Sequence, residues 1–246
     1  MTDTLLLLKD FLKYAGSKVI DLVYPVRCPV CDDAAPHGMK ICPSCMKSLK
    51  ALKYPWCEKC GKKLQSGTGI CNDCNVRSHS FARCRSVFEY PCISSAIYRF
   101  KYLGRREYSY FFAESSVRVL KDYLAVAKPD IITAVPLSKG KMLKRGYNQA
   151  GDYAEELSKR INIPFCPDAL KRVRNTAPMK LLSPSERQKN LKNAFKSGQN
   201  VVKSKRILLI DDIYTTGATM DECAKVLLEA GAESVYCMTL ASGAGI

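Results

Sequence analysis

One stretch of the sequence combines acidic side chains with a small, hydroxyl-rich turn. Residues 207–219 read ILLIDDIYTTGAT, which is an apolar run, two carboxylates, and a turn rich in threonine and glycine. The backbone N–H groups and hydroxyls of residues 215–219 suit a phosphate, and Gly217 permits close backbone approach. Asp211 and Asp212 are wrong for phosphate, but each accepts hydrogen bonds from vicinal ribose hydroxyls. The alternative is an acidic structural turn with a threonine-rich helix cap, although a cap needs only one hydroxyl.

A second set of chemically competent residues is a ladder of four CxxC pairs, whose pattern repeats after 29 residues. Two thiolates on one tight turn can hold a metal ion, and a second turn completes the tetrahedron that zinc accepts. A single CxxC is compatible with a redox pair, but four at repeated spacing favour zinc. We expect sequential pairing, while a crossed pairing or one degenerate site with a single ion stays open. The predicted zinc ligands are Cys28, Cys31, Cys42, Cys45, Cys57, Cys60, Cys71 and Cys74.

Four sulfurs leave no open coordination position, so the predicted zinc is structural and not catalytic. A segment of about 55 residues cannot build a sufficient core unaided. Chelation is therefore expected to unfold this part of the chain while sparing much of the rest. The other five cysteines lack the spacing and are interpreted as small buried residues, and His37 and His79 as surface residues.

Beyond residue 78 the pattern alternates between strands and helices. Short apolar runs predict strands at 87–88, 131–135, 207–210 and 235–240. Helical spacing predicts helices at 93–103, 108–124, 151–160 and 219–230. Such alternation predicts a mainly parallel sheet that is covered by helices on both faces.

Charge and the first residues of the chain limit the choice of partners. The formal net charge is +16, and residues 171–206 carry 11 basic residues against one acid, Glu186. This excess attracts nucleic acid, phosphorylated ligands or an anionic membrane, with a generic solubility charge as the alternative. No transmembrane segment is expected, because no span approaches about 18 apolar residues. Residues 1–24 lack the features of a secretion signal. They predict an amphipathic helix that docks on the protein, or on a membrane surface, and the expected location is cytoplasmic.

Several stretches together resemble a known family. Residues 207–219 resemble the phosphoribosyl-pyrophosphate motif of type I phosphoribosyltransferases at all positions. The cysteine ladder, KYLGRRE at 101–107, KRGYNQA at 144–150 and the long run at 174–195 are similar to the ComF family. The resemblance implies an α/β fold, with a Rossmann-like type I phosphoribosyltransferase core and an N-terminal double zinc ribbon. The predicted domains are the helix at 1–24, the double zinc ribbon at 25–78 and the phosphoribosyltransferase-like domain at 79–246.

The resemblance also implies a ligand and the residues that hold it. The ligand is phosphoribosyl pyrophosphate with Mg²⁺, and Asp211 and Asp212 take the catalytic positions. The pyrophosphate loop follows the strand at 131–135, where Lys139, Lys141, Lys144 and Arg145 are expected to neutralise the ligand. The implied phosphoribosyl-pyrophosphate-binding residues are Ile213, Tyr214, Thr215, Thr216, Gly217, Ala218, Thr219, Pro136, Leu137, Ser138, Lys139 and Arg145.

Two functions of different classes follow. The first is a ComF-type phosphoribosyltransferase that acts in DNA uptake and natural transformation, with an acceptor that the sequence does not reveal. The second is a non-catalytic competence factor that binds single-stranded DNA and uses the phosphoribosyl-pyrophosphate site for regulation. The expected partners are single-stranded DNA and the DNA-uptake machinery. The predicted nucleic-acid-binding residues are Arg105, Arg106, Lys144, Arg172, Arg174, Arg187, Lys189 and Lys192.

Overall fold

The computed structural model of the chain describes residues 25–67, 69–175, 186, 190–198, 202–203 and 205–243. The predicted helix at 1–24 lies outside these ranges, as do Arg187 and Lys189. The chain forms two compact units, one up to Leu49 and one from Lys50 onward. Among the described residues, no helix has the length and apolar run that crossing a bilayer requires.

The first unit is organised by its four cysteines. Backbone hydrogen bonds from Cys28 N to Asp33 O and from Asp32 N to Cys28 O, each 2.8 Å, close a tight turn around the first CxxC pair. Helix α1 (Pro43–Ser48) begins directly after Cys42 and contains Cys45, the other member of the second pair. Proline suits the first helical position, because the N–H that it lacks has no partner there. A hydrogen-bonded turn thus positions the first pair of thiols, and the start of a helix positions the second pair.

The second unit is built on a four-stranded parallel sheet in the order β1-β6-β5-β2, and β3 and β4 form a separate antiparallel pair. The strands are β1 (Arg83–Glu89), β2 (Ile131–Ala134), β3 (Leu170–Arg172), β4 (Phe195–Ser197), β5 (Arg206–Tyr214) and β6 (Ser234–Ser242). Strand β5 is central, and Ile207, Leu208, Leu209 and Ile210 are fully buried. Such an apolar run is typical of a parallel strand that is covered on both faces.

Helices connect the strands and cover the sheet. They are α2 (Asn72–Val76), α3 (Tyr90–Tyr102), α4 (Tyr108–Val119), α5 (Lys121–Ala127), α6 (Lys139–Arg145), α7 (Gln149–Ile161) and α8 (Ala218–Glu229), with a 3₁₀ turn at Pro167–Ala169. The helix predicted at 108–124 is therefore two helices. The break falls at Leu120, whose φ of −111° and ψ of 25° are not helical. No glycine or proline lies beside Leu120 in the sequence to indicate this break. Helix α6 has sequence signals, since Ser138 caps its start and Gly146, at φ 78°, ends it.

Candidate functional site

The candidate site lies where strand β5 outruns its neighbour β2. Their pairing ends at Ala134 with Ile210, whereas β5 continues to Tyr214 paired with β6. From Asp211 onward, β5 has no second neighbour among the described strands. Open α/β sheets bind ligands in the crevice beyond the carboxyl ends of their strands. The strand that was predicted to end at residue 210 therefore carries its two carboxylates along the open edge itself.

A cleft of about 530 Å³ occupies this edge. One wall is the end of β5 with the turn into α8, and the opposite wall comes from α3, the β2–α6 loop, α6 and α7. The residues that line the cleft are Lys101, Tyr102, Val135, Pro136, Leu137, Ser138, Lys141, Arg145, Gln149, Arg172, Leu191 and all residues from Asp211 to Met220. Most residues of the predicted phosphate turn and pyrophosphate loop thus share one cavity.

Asp212 is held in a network of charged and polar side chains. It is 8% exposed, and its Oδ1 lies 2.8 Å from Lys101 Nζ. Gln149 Nε2 donates to Asp212 Oδ2 at 2.8 Å, and Arg145 Nη1 donates to Gln149 Oε1 at 2.7 Å. Residues from α3, α6 and α7 thus converge on one carboxylate of β5 and fix its orientation.

The pKa values of the two adjacent carboxylates are shifted in opposite directions. Burial, followed by the neighbouring charge of Asp212, raises the pKa of Asp211 above its usual range. Burial would also raise the pKa of Asp212, but the charge of Lys101 and hydrogen bonds from Lys101 and Gln149 lower it below the usual value. The negative charge of Asp212 is therefore stabilised by the protein itself, whereas a hydrogen-bond donor on a ligand would stabilise the charged form of Asp211.

The turn at 215–217 leads into the N-terminus of α8. Gly217 is the N-cap residue of that helix, with φ 77° and ψ −5° in the left-handed region, and as a glycine it supplies no side-chain cap. The first N–H groups of a helix lack backbone partners and carry partial positive charge, so this end of the cleft favours an anion. Helix α8 spans 12 residues, which is long enough for this effect to be substantial.

Cationic side chains face the turn across the cleft. Lys101, Lys141, Arg145 and Arg172 all line the cavity. Desolvation, followed by the charges of Arg172 and Arg145, lowers the pKa of Lys141. Mutual repulsion of this kind is relieved when an anion binds between the cations. Four cations against two carboxylates give the cleft an excess of positive charge, which favours an anionic ligand.

The eight ladder cysteines form two separate clusters, Cys28, Cys31, Cys42 and Cys45, and Cys57, Cys60, Cys71 and Cys74. This is the sequential grouping. Within each cluster all four sulfurs lie within 4.8 Å of one another, and one pair in each is 3.7 Å apart. Zinc bonded to four sulfurs at about 2.3 Å needs a separation of about 3.8 Å between them. Both clusters therefore fit tetrahedral zinc, which would act as a structural cross-link.

The second cluster is part of the core of the larger unit. Cys57 and Cys60 are fully buried and pack in one hydrophobic cluster with Phe81, Leu209 and Tyr214. A hydrogen bond also joins this segment to strand β1, because Arg85, which is 7% exposed, donates to the carbonyl of Glu58 at 3.1 Å. This metal site therefore packs against β1 and β5, the strand that carries the carboxylates.

Comparison with known proteins identifies both parts of the chain. The model of the double zinc ribbon domain matches residues 19–75, and that of the phosphoribosyl transferase domain matches residues 118–245. Competence protein F of Haemophilus influenzae is 33% identical over 213 residues, which are 82% of this chain and 90% of that protein. Competence protein ComFC of Bacillus subtilis is 33% identical over 214 residues, or 82% and 83% of the two chains. The chain belongs to the ComF family.

A third relative agrees with this assignment. The DNA utilization protein YhgH of Escherichia coli K12 is 31% identical to this ComF protein over 212 residues, 81% of this chain and 91% of the relative. The predicted fold class, a phosphoribosyltransferase core with a double zinc ribbon, is thereby confirmed. The sheet order and the two cysteine clusters agree with it.

The structure of this ComF protein collects most of the predicted ligand-binding residues. Every one from Asp211 to Thr219 lines the cleft, as do Pro136, Leu137, Ser138 and Arg145. Lys139 does not line it and begins the exposed face of α6. Tyr214 is 2% exposed, and its ring packs at 6.5 Å from Phe81, so it supports the turn from beneath.

The predicted nucleic-acid-binding residues are dispersed in the described part of the chain. Arg106 is held by both oxygens of Asp152, at 2.6 and 3.0 Å, and Arg174 donates to two backbone carbonyls. Arg172 lines the cleft instead of an outer surface. The remaining described members are Arg105, Lys144 and Lys192, and the last two are exposed.

Sequence reasoning assigned no role to Lys101 and Gln149, although both line the cleft. A signal was present, because Lys101 opens the KYLGRRE stretch and Gln149 lies in KRGYNQA, both of which carried the family resemblance. Their contact with Asp212 depends on the packing of α3 and α7 beside β5, which spacing along the chain does not encode.

Substitution of Gly217 is expected to destabilise the ComF fold, with or without a ligand. Its φ of 77° disfavours L-residues, and a Cβ would lie 2.8 Å from Cζ of the buried Tyr214. The conformation thus requires glycine for the turn itself, in addition to the phosphate approach that the sequence suggested. Gly217→Val should cost roughly 1–3 kcal/mol of unfolding free energy. Thr216→Ala, in the same turn, should cost no more than about 0.5 kcal/mol. Urea unfolding of both variants checks this, and equal stabilities would contradict it.

Proposed function

We propose that this ComF protein binds phosphoribosyl pyrophosphate in the cleft beside β5 and acts in the uptake of DNA. One observation carries the proposal: adjacent carboxylates, the N-terminus of α8 and four cations meet in a single cavity. A ribose that bears phosphate groups at both ends matches each of these. The names of the relatives, competence proteins and a DNA utilization protein, support the biological role.

The proposal implies one orientation of the ligand in the cleft. Asp211 and Asp212 accept hydrogen bonds from the ribose hydroxyls, and the N–H groups and hydroxyls of residues 215–219 hold the 5-phosphate. The pyrophosphate then lies towards residues 136–138, where Lys141 and Arg145 offset its charge. Mg²⁺ on the pyrophosphate would neutralise the remaining charge and help the leaving group depart.

If the site turns over, the reaction is transfer of the phosphoribosyl group to a nitrogen acceptor. The bond between C1 and the pyrophosphate oxygen breaks with its electron pair leaving on the oxygen. The acceptor nitrogen forms the new bond to C1 and gives up its proton to solvent. The contribution of the protein is mainly the placement of the groups and the stabilisation of charge by fixed cations.

The test uses phosphoribosyl pyrophosphate with a radioactive label. Purified protein is assayed for retained ligand and for released pyrophosphate, with and without single-stranded DNA. Saturable, Mg²⁺-dependent retention supports the binding site, and pyrophosphate release identifies turnover. No retention at millimolar ligand would contradict the proposal.

A second candidate function is binding of single-stranded DNA without catalysis. It is favoured by the basic excess between residues 171 and 206, which holds 11 basic residues and one acid. Lys192 and Lys144 are exposed in the described part of the chain, as a backbone-tracking surface requires. The DNA-uptake machinery as a partner and a cytoplasmic location remain predictions from the sequence.

Such binding should be strongly salt-dependent. Each phosphate that a lysine or arginine neutralises releases counterions, with a log–log slope of roughly −0.7 per contact. Fluorescence anisotropy with labelled oligothymidylate, measured at several salt concentrations, gives the slope. Reversing Arg187, Lys189 and Lys192 to glutamate should weaken binding steeply. A flat salt response, or unchanged affinity in that variant, would argue against this second function.

A further inference from the structure

The mouth of the cleft carries a pair of half-exposed aromatic rings. Tyr102 is the last residue of α3 and lines the cleft, yet its side chain is 48% exposed. Tyr98, one turn earlier on the same helix, is 57% exposed. The two ring centroids are 5.1 Å apart and the planes tilt by 46°. Large rings at a cavity entrance, left open to solvent, are typical of binding surfaces and not of a core.

The position of Tyr102 is fixed relative to the carboxylates. Its neighbour Lys101 binds Asp212 at 2.8 Å. The guanidinium of Arg145 lies 4.8 Å from the ring centroid of Tyr102, and the same Arg145 reaches Asp212 through Gln149. The ring is therefore tethered from two sides to the residue proposed to hold the ribose.

We propose that Tyr102, supported by Tyr98 and flanked by Arg145, is a stacking platform for a planar nucleobase beside the phosphoribosyl position. The inference rests on the proposed function, because it places the base next to the proposed ribose site. Every nucleobase has a π-face, so an aromatic platform accepts any of them. The guanidinium of Arg145 lies over one face of the ring, and its charge attracts the phosphate attached to a base on the platform.

The exposed neighbours of the platform fit the same occupant. Leu103 follows Tyr102 and is 56% exposed, and Leu143 on α6 is 86% exposed. Lys144 lies beside Leu143 and is also exposed. Apolar and cationic side chains that are exposed at the end of α3 and on α6, the helices that carry Tyr102 and Arg145, suit a ligand whose flat rings are joined to phosphates. The base is either free or part of a single strand of DNA, and the experiment separates these sources.

The experiment compares Tyr102→Leu with a matched control. Tyr110 is 41% exposed and has the guanidinium of Arg160 at 3.9 Å from its ring, but it does not line the cleft. Tyr110→Leu thus removes a similar tyrosine–arginine pair away from the site. Tyr102→Trp keeps a stacking face. Thermal unfolding of each variant shows that the fold is retained.

Two fluorescent oligomers are the probes, oligothymidylate and an abasic strand of the same length and charge. Wild type and Tyr110→Leu should bind oligothymidylate more tightly than the abasic strand, by about five-fold or more for one stacked base. Tyr102→Leu should lose this preference, and Tyr102→Trp should keep it. If wild type does not distinguish the strands, or Tyr102→Leu still does, the platform is wrongly assigned.

A competition arm identifies the source of the base. If free adenine or thymine displaces oligothymidylate from wild type but not from Tyr102→Leu, the platform takes a free base as well as a base within the strand. If neither displaces it while the preference depends on Tyr102, the platform takes a base within the strand. Both results support stacking. Calorimetry of wild type with phosphoribosyl pyrophosphate separates the two claims: no binding there, with the Tyr102-dependent preference intact, overturns the proposed ribose site but not the platform.

Discussion

Serine in place of Cys60 is expected to unfold the larger unit of this protein, whereas serine in place of Cys31 leaves that unit folded. The two cysteines occupy equivalent places in the repeated ladder, 29 residues apart, but their surroundings differ. Cys60 is fully buried in the hydrophobic cluster that contains Leu209 and Tyr214. Cys31 belongs to the other compact unit.

The expected size of the effect follows from the energy of a structural zinc site. Zinc binding to such sites is worth about 10–16 kcal/mol in small domains, which equals or exceeds the stability of a typical domain, roughly 5–15 kcal/mol. Losing one ligand of the second site should therefore remove cooperative unfolding near room temperature. Because Cys57 and Cys60 belong to the core of the larger unit, this loss extends beyond the cysteine-rich segment that the sequence alone predicted to unfold. Losing one ligand of the first site should affect residues up to Leu49.

Two measurements separate the outcomes. Native mass spectrometry should find about two zinc ions in wild type and about one in each variant. Trp56 is the single tryptophan and packs 5.5 Å from the Arg85 guanidinium next to the second site, so its fluorescence reports on that site. A shift to the spectrum of an exposed indole in Cys60→Ser, but not in Cys31→Ser, is expected. Equal disturbance of Trp56 in both variants would contradict the distinction between the sites.

Asparagine in place of Asp211 should weaken binding of phosphoribosyl pyrophosphate without lowering stability. Burial and Asp212 raise the pKa of Asp211, so its charge destabilises the unliganded fold at neutral pH and the amide relieves that cost. A charge-assisted hydrogen bond to a ribose hydroxyl is worth about 1.5–3 kcal/mol, or roughly 10- to 150-fold in affinity. Calorimetric titration and urea unfolding of the variant give both quantities.

Asp212→Asn is the contrasting variant. Asp212 is buried and pairs with Lys101, so the amide leaves a buried ammonium group without its counter-charge, at a cost of about 3–5 kcal/mol. Ligand affinity and stability should fall together. The pKa of Asp212 is lowered, so its share of the stability is present above the usual carboxyl pKa and is lost as pH falls through the lowered value. Unchanged affinity in both variants would show that the carboxylates form only a structural turn.

The parts of the site that were predictable from sequence are those confined to short segments. The run at 207–219 and the ladder cysteines carry their chemistry in local spacing, because a turn brings residues that are close in sequence to one place. Even there, the end of the strand was misplaced, because Asp211 to Tyr214 continue as β5 through pairing with β6. Pairing with β6, and not the local sequence, determines that these residues adopt an extended strand conformation.

The remaining features depend on packing between distant segments. Lys101 and Gln149 reach Asp212 only because α3 and α7 lie beside the end of β5. The burial of the second cysteine cluster depends in the same way on contact with Phe81 and Tyr214. The two halves of the ladder have identical spacing but lie in different surroundings, and the spacing alone does not predict this difference.

The most direct test of the central claim is a calorimetric titration of the wild-type protein with phosphoribosyl pyrophosphate in the presence of Mg²⁺. The cleft should bind one ligand per chain, and chelation of Mg²⁺ should weaken the binding. Ribose 5-phosphate, which lacks the pyrophosphate that Lys141 and Arg145 are proposed to face, should bind at least about ten-fold more weakly, the loss expected for one charge-assisted contact. Absence of saturable heat from a folded protein that contains zinc would contradict the assignment of the cleft.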